Sequence, residues 1–352
     1  MNREYMKKKI FKKRNQSADQ SSMRITNETV AEHRERILAG GRKFKYPVQY
    51  ARHKLVINTI IIAVVAVVIF VAFSWWQLYS VQNTTTFFYR ATSVVPLPVA
   101  SVDGEMVRYS DYLMRLRGQE YWLSEKGQIE QGKKDNERQI NYIKRSVING
   151  VEADAYAAKL AREKDVAVAE KEVDAVVARS LKTANGTISQ ELYDASTLET
   201  LGYDRGEYRH LISQSLLRHK VSYAIDTKAS QTVEVVAKLM KDPAADFDAV
   251  AKQLGEAVQA GSSGLVRKTN QDGGLTQAAS GLTVGQTSDA IKSTTGDGYY
   301  FVRLLESNAN ELSYRYIKVP LTVFNTNFAQ VRKSGKIKEY ISIPELETQV
   351  IK

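Results

Sequence analysis

The pattern of apolar and polar residues changes sharply along the chain, and its clearest feature is one long apolar run near the N-terminus. Leu55 to Phe73 contains no charged residue, and Asn58 and Thr59 are its only polar residues. A helix rises about 1.5 Å per residue, so a run of this length covers nearly all of the roughly 30 Å hydrocarbon core of a membrane. The pattern predicts a transmembrane helix, to which we assign residues 55–78.

The residues on either side of the run predict its orientation. Trp75, Trp76 and Tyr79 follow it, at the position where aromatic side chains prefer the headgroup layer. The fifteen residues before the run contain five Lys or Arg, whereas residues 77–91 contain only Arg90. The positive-inside rule then predicts a cell-membrane protein with one span, a cytoplasmic N-terminus and an extracytoplasmic body.

Two other interpretations of the apolar run are a cleaved signal peptide and a buried core helix. The apolar part of a signal peptide spans roughly 7 to 15 residues. The run here is longer and follows a 54-residue polar lead. A core helix normally keeps a polar face, which this run lacks. We therefore favour the membrane anchor over both alternatives.

Residues 1–54 form a basic tail. They contain 15 Lys or Arg against 5 Asp or Glu, a net charge of +10, whereas the rest of the chain contains 35 against 34. The basic character of the whole protein therefore comes from the tail, and no nucleic-acid partner is expected for the body.

The tail is predicted to be largely without regular structure. Residues 1–30 are polar, and disorder is the default expectation for such a composition. The basic run Lys7 to Arg14 either attracts the anionic inner leaflet or only determines topology. One short helix is predicted from Thr29 to Leu38, ended by Gly40 and Gly41.

The chain offers little for metal or cofactor chemistry. It has no cysteine, which excludes disulfides and cysteine nucleophiles. The body contains two histidines, His210 and His219, whose spacing differs from the i,i+4 spacing of a helical metal pair. We interpret both as ordinary helix residues and predict no metal site and no cofactor. Phosphate-binding loops and nucleophile motifs are also missing.

The body begins with an irregular stretch and a compact strand–turn–helix pattern. Residues 79–98 have little helical period and contain three consecutive threonines and two prolines, so we predict a spacer. Val99 to Leu116 then predicts a short strand, a turn at Asp103-Gly104 and a helix with Ser110 as its N-cap.

Helical periodicity continues from there to about Ile225. Asp165 to Ala169 interrupts it, a loop is expected at Asn185-Gly186, and a further helix is predicted from Asp204 to Ile225. One face of that helix carries Tyr208, Leu211, Ile212, Ser215, Leu216 and His219.

Three segments of residues 99–225 carry a family resemblance. In chain order they are VASVDGEMVRYSDYLMRL, AREKDVAVAEKEVDAVVARSL and LGYDRGEYRHLISQSLLRHKV. They resemble the N-terminal domain of SurA-type and PrsA-type extracytoplasmic chaperones. The resemblance implies a mainly helical chaperone domain that binds unfolded polypeptides. Tyr109, Tyr112, Tyr121 and Trp122 are candidates either for adaptable contacts with such chains or for the core.

Beyond Asp226 the composition shifts toward Gly, Ser and Ala. Thr232 to Met240 and Ala245 to Leu254 predict helices, and Tyr299 to Leu305 predicts a strand. The segments ADFDAVAKQL, LTVGQTSDAI and GYYFVRLL, in this order and spacing, resemble the parvulin type of peptidyl-prolyl isomerase (rotamase) domain. The resemblance implies a small α/β domain over residues 226–321.

The parvulin fold carries two histidines that face each other, one on its first strand and one on its last. The matching position on the last strand is Tyr300. The segment before Thr232 has no histidine and is more typical of a helix end, whereas Ser313 to Val319 resembles the first strand and has Tyr316 at the histidine position. The first and last parvulin strands are antiparallel neighbours, so a hairpin through Ser307 to Asn310 would place Ser313 to Val319 in the missing strand's position.

Without those histidines, the catalytic residues of this domain are not determined. Prolyl isomerisation has a barrier of roughly 20 kcal/mol and needs a shaped apolar proline pocket with polar groups around the twisted amide. Leu265, Val266, Phe301 and Val302 are our candidates for a substrate-binding groove. Tyr300 and Tyr316 either take part in such a site or only fill the sheet.

The C-terminal residues 322–352 include FAQVRKSGKIKEYISI, Phe328 to Ile343. This segment resembles the last part of the same chaperones, which returns to the N-terminal domain. The predicted fold class is therefore α+β, with a single transmembrane helix, a mainly helical SurA-N-like domain built from both ends of the external chain, and an inserted parvulin-like domain.

The expected function is a membrane-anchored foldase or holdase with weak or no isomerase activity, which grips clients in an apolar cleft between the helical and inserted domains. Its expected partners are unfolded or newly exported polypeptides, and membrane lipid along Leu55 to Trp76. Two alternatives are an active parvulin-type isomerase and a non-catalytic scaffold of an envelope assembly.

Overall fold

The computed structural model describes residues 26–45, 47–127, 136–183, 186–242 and 245–344. The basic run Lys7 to Arg14, residue Asn185 of the predicted loop, and residues 345–352 lie outside the described residues. The chain divides into two compact units, residues 1–75 and residues 76–352.

The first helix of the described residues, α1 (Asn27–Lys45), continues through the glycine pair that was expected to end it. The predicted stop at Gly40 and Gly41 is therefore wrong. A glycine inside a helix costs only about 1 kcal/mol relative to alanine, and the Arg and Lys that follow favour helix. A helix stop would use a left-handed backbone at the glycine, and neither glycine has a positive φ.

Helix α2 (Pro47–Tyr79) contains the apolar run. Its segment His53–Tyr79 is long and apolar enough to cross a membrane, with a mean hydropathy of 3.1 in its most apolar stretch. None of that stretch is buried, so α2 is not a core helix of this chain and that alternative is excluded. The length and composition of this helix fit a membrane anchor or a signal sequence.

The second unit combines helices and strands. Its remaining helices are α3 (Thr86–Val94), α4 (Tyr109–Glu125), α5 (Glu137–Glu163), α6 (Glu170–Ser180), α7 (Gln190–Leu201), α8 (Arg205–Ile225), α9 (Thr227–Leu239), α10 (Phe247–Leu254), α11 (Leu275–Ser280) and α12 (Val323–Lys333). Its strands are β1 (Pro98–Val102), β2 (Glu105–Arg108), β3 (Lys182–Thr183), β4 (Gly186–Thr187), β5 (Gln259–Arg267), β6 (Ile291–Lys292), β7 (Gly298–Ser307), β8 (Glu311–Pro320) and β9 (Ile337–Glu339). The predicted mixture of helix and sheet is confirmed.

The strands form three separate antiparallel arrangements. A three-stranded sheet has the order β2-β1-β9, a short hairpin joins β3 to β4, and a four-stranded sheet has the order β5-β8-β7-β6. The first sheet packs with the long helices α4 and α5, and the four-stranded sheet forms the centre of the part that follows α8.

The turn between β1 and β2 is formed as predicted, but the start of α4 is not. Asp103 and Gly104 have φ values of 49° and 86°, the pair of positive values that a tight type I′ hairpin needs. Helix α4 begins at Tyr109 with Arg108 as its N-cap, so the prediction of Ser110 as the cap is wrong. The Tyr109 backbone N–H donates to the Leu97 carbonyl at 2.8 Å, and its buried hydroxyl donates to the Leu78 carbonyl at 2.5 Å, so tertiary contacts fix the start of the helix without a side-chain cap.

The predicted spacer 79–98 is wrong where it contains helix α3. Phe88 and Thr92 point inward from α3 and are buried. The Thr92 hydroxyl donates to the Phe88 carbonyl at 2.9 Å, so the polar group is satisfied inside the helix. Only two residues of this short helix are buried, which is why its period is too weak to recognise in the sequence.

The C-terminal segment packs against the beginning of the second unit. Strand β9 pairs with β1, with Lys338 opposite Ser101. Phe324 and Ile341 are buried in the same core cluster as Val99. The α12 residue Arg332 donates from Nη2 to the buried carboxylate of Glu152 at 2.7 Å. The helical core is therefore built from segments that are far apart in the chain, while the domain boundaries assigned from sequence stay predictions.

The four-stranded sheet has a separate apolar cluster on each face. Helices α9 and α10 cover one face, where Phe247 packs with Phe301 and Ile317. Helix α11 covers the other face, where Leu275 packs with Val302 and several tyrosines. Each face is therefore buried under helices of the same part of the chain.

Candidate functional site

The sheet brings together Tyr300 and Tyr316, the two tyrosines predicted from the parvulin resemblance to stand at its histidine positions. Strands β7 and β8 pair in antiparallel register, with Val302 opposite Tyr316 and Tyr300 opposite Lys318. The predicted hairpin between Tyr299–Leu305 and Ser313–Val319 is thus confirmed. The rings of Tyr300 and Tyr316 are 5.6 Å apart and meet edge to face.

Hydrogen bonds fix Tyr300 in place. Its hydroxyl donates to Asp297 Oδ2 at 2.5 Å, and the same carboxylate oxygen accepts from Lys318 Nζ at 2.6 Å. Burial, together with the bond to Asp297, raises the pKa of Tyr300. Burial alone would raise the pKa of Asp297, but the bonds from Lys318, Tyr300 and Thr295 outweigh it and hold that pKa well below its usual value. Tyr300 is therefore a fixed donor and not a general base at neutral pH.

A third tyrosine, which the sequence did not single out, extends the same face. The Tyr314 hydroxyl donates to the carboxylate of Asp272, and Asp272 also accepts from the backbone N–H of Thr276 at 2.8 Å. The ring of Tyr316 lies against Gly261, where an added Cβ would come within 2.5 Å of the tyrosine oxygen. We call Tyr300, Tyr314 and Tyr316 the tyrosine face; it is packed and hydrogen bonded.

The four residues predicted to form a substrate groove do not share one surface. Leu265 is 55% exposed, whereas Phe301 and Val302 are 2% and 0% exposed. Phe301 belongs to the cluster under α9 and α10, and Val302 to the cluster under α11. Val266 packs against the second cluster. These positions lie on opposite faces of the sheet because successive residues of a strand point to opposite sides.

A larger concave surface lies between the helical part of the second unit and the loops of the four-stranded sheet. This cleft has a volume of about 530 Å³, and we call it the central cleft. Helix α6, helix α8, the segment after β5 and the segment after β6 all contribute to it. Its lining residues include Val176, Arg179, Ser180, Lys182, Ile212, Ser215, Leu216, His219, Lys268, Gln271, Gln277 and Thr294.

Specific contacts hold the two walls of the central cleft together. The Gln271 side-chain amide donates to the carbonyls of Arg179 at 3.2 Å and Lys182 at 3.0 Å. On the α8 side, the Tyr223 hydroxyl donates to the Gly298 carbonyl at 2.6 Å. These bonds tie the ends of α6 and α8 to the sheet loops, so the cleft is a built feature of the fold.

A buried carboxylate fixes the junction behind the cleft. Asp226 is 1% exposed. Its Oδ1 accepts from the backbone N–H of Ala229 at 2.9 Å, and its Oδ2 accepts from the N–H groups of Thr322 at 2.8 Å and Val323 at 3.1 Å. One side chain therefore accepts hydrogen bonds from backbone N–H groups at the start of both α9 and α12. At these two helix starts the chain passes between the helical core and the sheet.

The lining of the central cleft is apolar on the helical wall and basic at its edge. Val176, Ile212 and Leu216 are half-buried, whereas Arg179 and Lys268 are exposed. No carboxylate is among its described lining residues. The arrangement suits non-covalent binding of an apolar chain whose carbonyl or acidic groups meet the basic edge.

His219 lies on the α8 wall of this cleft. Its Nε2 is 3.3 Å from the Ser215 hydroxyl, and its ring lies against Gly296, where an added Cβ would come within 2.2 Å. Burial, and then the nearby Arg218, lowers the pKa of His219, so the ring is neutral at pH 7. His210, by contrast, lies 3.1 Å from Asp111. No group of three or more His, Asp or Glu among the described residues could hold a metal ion.

A second, smaller groove lies between α4, α5 and the end of α7. It has a volume of about 420 Å³, and Trp122, Tyr142 and Leu201 are among its lining residues. Of the four aromatic residues proposed from sequence for client contacts, Tyr109 and Tyr112 are core, whereas Tyr121 and Trp122 are exposed. The groove therefore uses only one of them, Trp122.

Comparison with known families gives one match, which covers part of the chain. Residues 49–222 match the SurA-like N-terminal domain family. The match spans just under half of the chain and runs from α2 to α8, so the four-stranded sheet lies outside it. It suggests a chaperone-type function and binding of polypeptide substrates. No curated protein and no solved structure matches the chain.

Proposed function

We propose that the chain is a membrane-anchored, extracytoplasmic foldase or holdase that binds unfolded or newly exported polypeptides and has weak or no prolyl isomerase activity. The central cleft is the observation that carries the proposal. A concave surface of this size with apolar walls and a few polar groups is the usual form of a binding site. The SurA-like domain match supports the same class of function.

In this proposal the client lies along the α8 wall of the central cleft. Apolar client side chains contact Val176, Ile212 and Leu216, and the exposed Arg179 and Lys268 contact client carbonyl or carboxylate groups. Apolar burial contributes roughly 25 cal/mol per Å². A shallow wall of three side chains therefore gives modest affinity, which allows a folding client to leave.

We further propose that the four-stranded sheet is a parvulin-like sheet whose first strand comes from the C-terminal side. The pairing of β8 with β7 supports this, since the first and last strands of a parvulin sheet are antiparallel neighbours. In that assignment Tyr300 and Tyr316 stand at the two histidine positions. Tyr300 keeps its proton and is held by Asp297, which supports weak or absent isomerase activity.

The second candidate is an active isomerase, and one observation favours it: the two tyrosines at the histidine positions are in ring contact. Such a site would need an accessible proline pocket beside them. The burial of Tyr300 and Tyr314 under α11 weighs against it.

The location is also part of the proposal. An apolar helix with basic residues before it and aromatic residues after it supports an anchor with a cytoplasmic N-terminus. The body from residue 79 onward is then extracytoplasmic, where exported polypeptides emerge unfolded.

Aggregation suppression by the full chain, reconstituted in phosphatidylethanolamine and phosphatidylglycerol vesicles, tests the proposal. The client is a chemically unfolded protein diluted into buffer. We expect Leu216→Asp to weaken client binding roughly tenfold, because each tenfold corresponds to about 1.4 kcal/mol, less than the burial of one leucine contributes. Leu265→Asp, on the sheet outside the cleft, is the matched control and should bind like the wild type.

A proline-peptide isomerisation assay on the same vesicles separates the two candidate functions. The proposal predicts client binding with little acceleration of an isomerisation that otherwise takes tens of seconds. Strong acceleration that is lost in Tyr316→Phe would support the isomerase instead. Equal binding by the wild type and Leu216→Asp would contradict binding in the central cleft.

A further inference from the structure

Helix α3 presents an apolar face outward. Phe87 is 60% exposed and Val94 is 83% exposed. Ala91 lies between them on the same side, at the i, i+4, i+7 spacing of one helical face, and Val95 follows at the end of the helix. The opposite side holds the buried Phe88 and Thr92. The helix therefore has apolar contacts available on both sides, although the core uses only one.

Helix α3 is connected to the end of the apolar helix α2 through a closed loop of the chain. The Tyr79 hydroxyl donates to the Pro98 carbonyl at 2.7 Å. The two ends of the segment 79–98 are therefore in contact, and the segment forms a closed loop. Tyr79 also packs edge to face on Tyr109, at 5.6 Å between ring centres. Helix α3 lies within this closed loop, and Thr86 is seven residue steps from Tyr79, a reach of at most about 25 Å.

The charge of this region is uniform. No acidic residue occurs between Glu35 and Asp103. Within α3, Arg90 is exposed and carries the only charge. A short helix with outward apolar residues and a basic residue, and without carboxylates, has the character of a helix that lies in the interface of an anionic membrane.

We propose that the outward face of α3, formed by Phe87, Arg90, Ala91, Val94 and Val95, lies in the headgroup layer of the membrane that α2 anchors. The occupant of this surface is lipid: the apolar side chains enter the boundary of the acyl chains, and Arg90 reaches the phosphates. This contact fixes the orientation of the body on the membrane surface. It rests on the anchoring of α2, which is part of the proposed function.

Single cysteines test this contact directly, because the natural chain has none. Val94→Cys, Val284→Cys and Val64→Cys are labelled with an environment-sensitive nitrobenzoxadiazole dye in the full chain and reconstituted in vesicles of phosphatidylethanolamine and phosphatidylglycerol. Val284 is the matched control, since it is an exposed valine, 67% accessible, on a loop of the sheet. Val64 lies in the middle of α2 and reports anchoring.

The expected result is quenching of the label at 94 by lipids that carry a doxyl group near the headgroup, a blue-shifted emission, and neither effect at 284. Deep doxyl lipids should quench the label at 64. Ala91→Glu, which places a carboxylate in the centre of the face, should remove the quenching at 94 and leave that at 64 unchanged.

Three outcomes would overturn the proposal. A water-exposed label at 94 with a quenched label at 64 would refute the contact and leave the anchor intact. Equal quenching at 94 and 284 would show general adsorption of the body and not a contact through α3. An unquenched label at 64 would refute the anchor, and the contact with it.

Discussion

The tyrosine face of the four-stranded sheet and the central cleft differ in whether their side chains are available to a ligand. On the tyrosine face, Tyr300 and Tyr314 are buried, and each donates its hydroxyl to a carboxylate of the same part of the chain. In the cleft, Ile212 and Leu216 are only half-buried and no described lining residue is a carboxylate. The first surface is completed by its own residues, whereas the second is available to a ligand.

The comparison shows which of the two surfaces has polar groups and apolar side chains available. On the tyrosine face the hydroxyls of Tyr300 and Tyr314 are already paired with carboxylates, and this arrangement favours stability over chemistry. The cleft is built by helix ends and loops that bind each other through Gln271 and Tyr223. Substitutions on the two surfaces should therefore have different consequences. Those on the tyrosine face should lower stability, and those in the cleft should weaken client binding.

The largest expected effect is at the junction that holds the cleft. Asp226→Ala removes the acceptor of three backbone N–H groups at the N-termini of α9 and α12. Losing a cap costs about 1 kcal/mol, and each buried group left unpaired costs a further 1 to 3 kcal/mol. We expect the free energy of unfolding, measured in denaturant, to fall by roughly 3 kcal/mol or more.

The matched control for Asp226 is Asp246→Ala, an exposed cap at the start of α10 whose Oδ1 accepts from the Asp248 N–H at 3.0 Å. Its removal should cost only about 1 kcal/mol. Equal losses for the two variants would contradict the structural role assigned to Asp226.

Gly261→Ala tests how tightly the tyrosine face is packed. The added Cβ would meet the Tyr316 ring, which is itself held between Tyr300 and Tyr314. Overpacking of this kind costs about 1 to 3 kcal/mol. Thermal unfolding should show the loss, and aggregation suppression should stay at the wild-type level below the transition.

Gly281→Ala serves as its control, because the nearest atom to the added Cβ is the Ala278 carbonyl oxygen at 3.6 Å, an ordinary contact. The distinction between the two surfaces would be contradicted if Gly261→Ala lost more free energy of client binding than free energy of unfolding.

Tyr300→Phe tests the hydrogen bond on the tyrosine face. It removes the donor to Asp297 and leaves the ring, so we expect a loss of about 1 to 2 kcal/mol in denaturant unfolding. Tyr299→Phe removes a hydroxyl that has no hydrogen bond to the described residues and should cost less. A large change in isomerase activity in Tyr300→Phe, with unchanged stability, would favour the catalytic alternative.

The smallest expected effect is a pH dependence from the cleft wall. The pKa of His219 is lowered in the folded chain by burial and by Arg218, so protonation favours the unfolded state. The neutral form of His219 therefore stabilises the fold. This contribution is present above the ordinary pKa of about 6.5 and is lost as the pH falls below it. Stability at pH 7.5 minus stability at pH 5.5 should be smaller in His219→Gln than in the wild type. An equal difference in both proteins would contradict the assignment.

Local sequence signals predicted those parts of the fold that depend on local chemistry. Asp103-Gly104 specified a tight hairpin because two consecutive residues with positive φ are needed there. The helix predicted from Asp204 to Ile225 is α8, and the structure adds that the Asp204 side chain caps it by accepting from the Glu207 N–H at 2.8 Å. The β7–β8 hairpin was predicted from the parvulin resemblance, in which the first and last strands are antiparallel neighbours, and not from a local signal.

Tertiary contacts account for the predictions that were wrong. Helix α4 starts at Tyr109 because that side chain is buried against Leu78, which no local pattern shows. Helix α3 is stabilised by the few contacts of Phe88 and Thr92 with the core. The predicted groove failed because Phe301 and Val302 belong to opposite faces of the sheet.

An apolar cleft between the helical and inserted domains was expected from the family resemblance, but of its lining only one helix face was recognised in the sequence. The face of α8 that carries Ile212, Leu216 and His219 was visible from helical spacing. The opposite wall, from Lys268 to Gly274, has no periodic pattern, and its position depends on the bonds that Gln271 makes with the end of α6. The residues that line the cleft on this wall can therefore be identified only from the folded structure.

Site-specific cross-linking tests most directly whether the central cleft binds unfolded polypeptide. Single cysteines at Gln277, an exposed lining residue of the cleft, and at Leu265, on the sheet outside it, carry a benzophenone label in the vesicle-bound full chain. Illumination with an unfolded client should give a cross-linked product from position 277 that excess unlabelled client removes, and little product from position 265. Equal yields at the two positions, or no product at 277, would contradict the account.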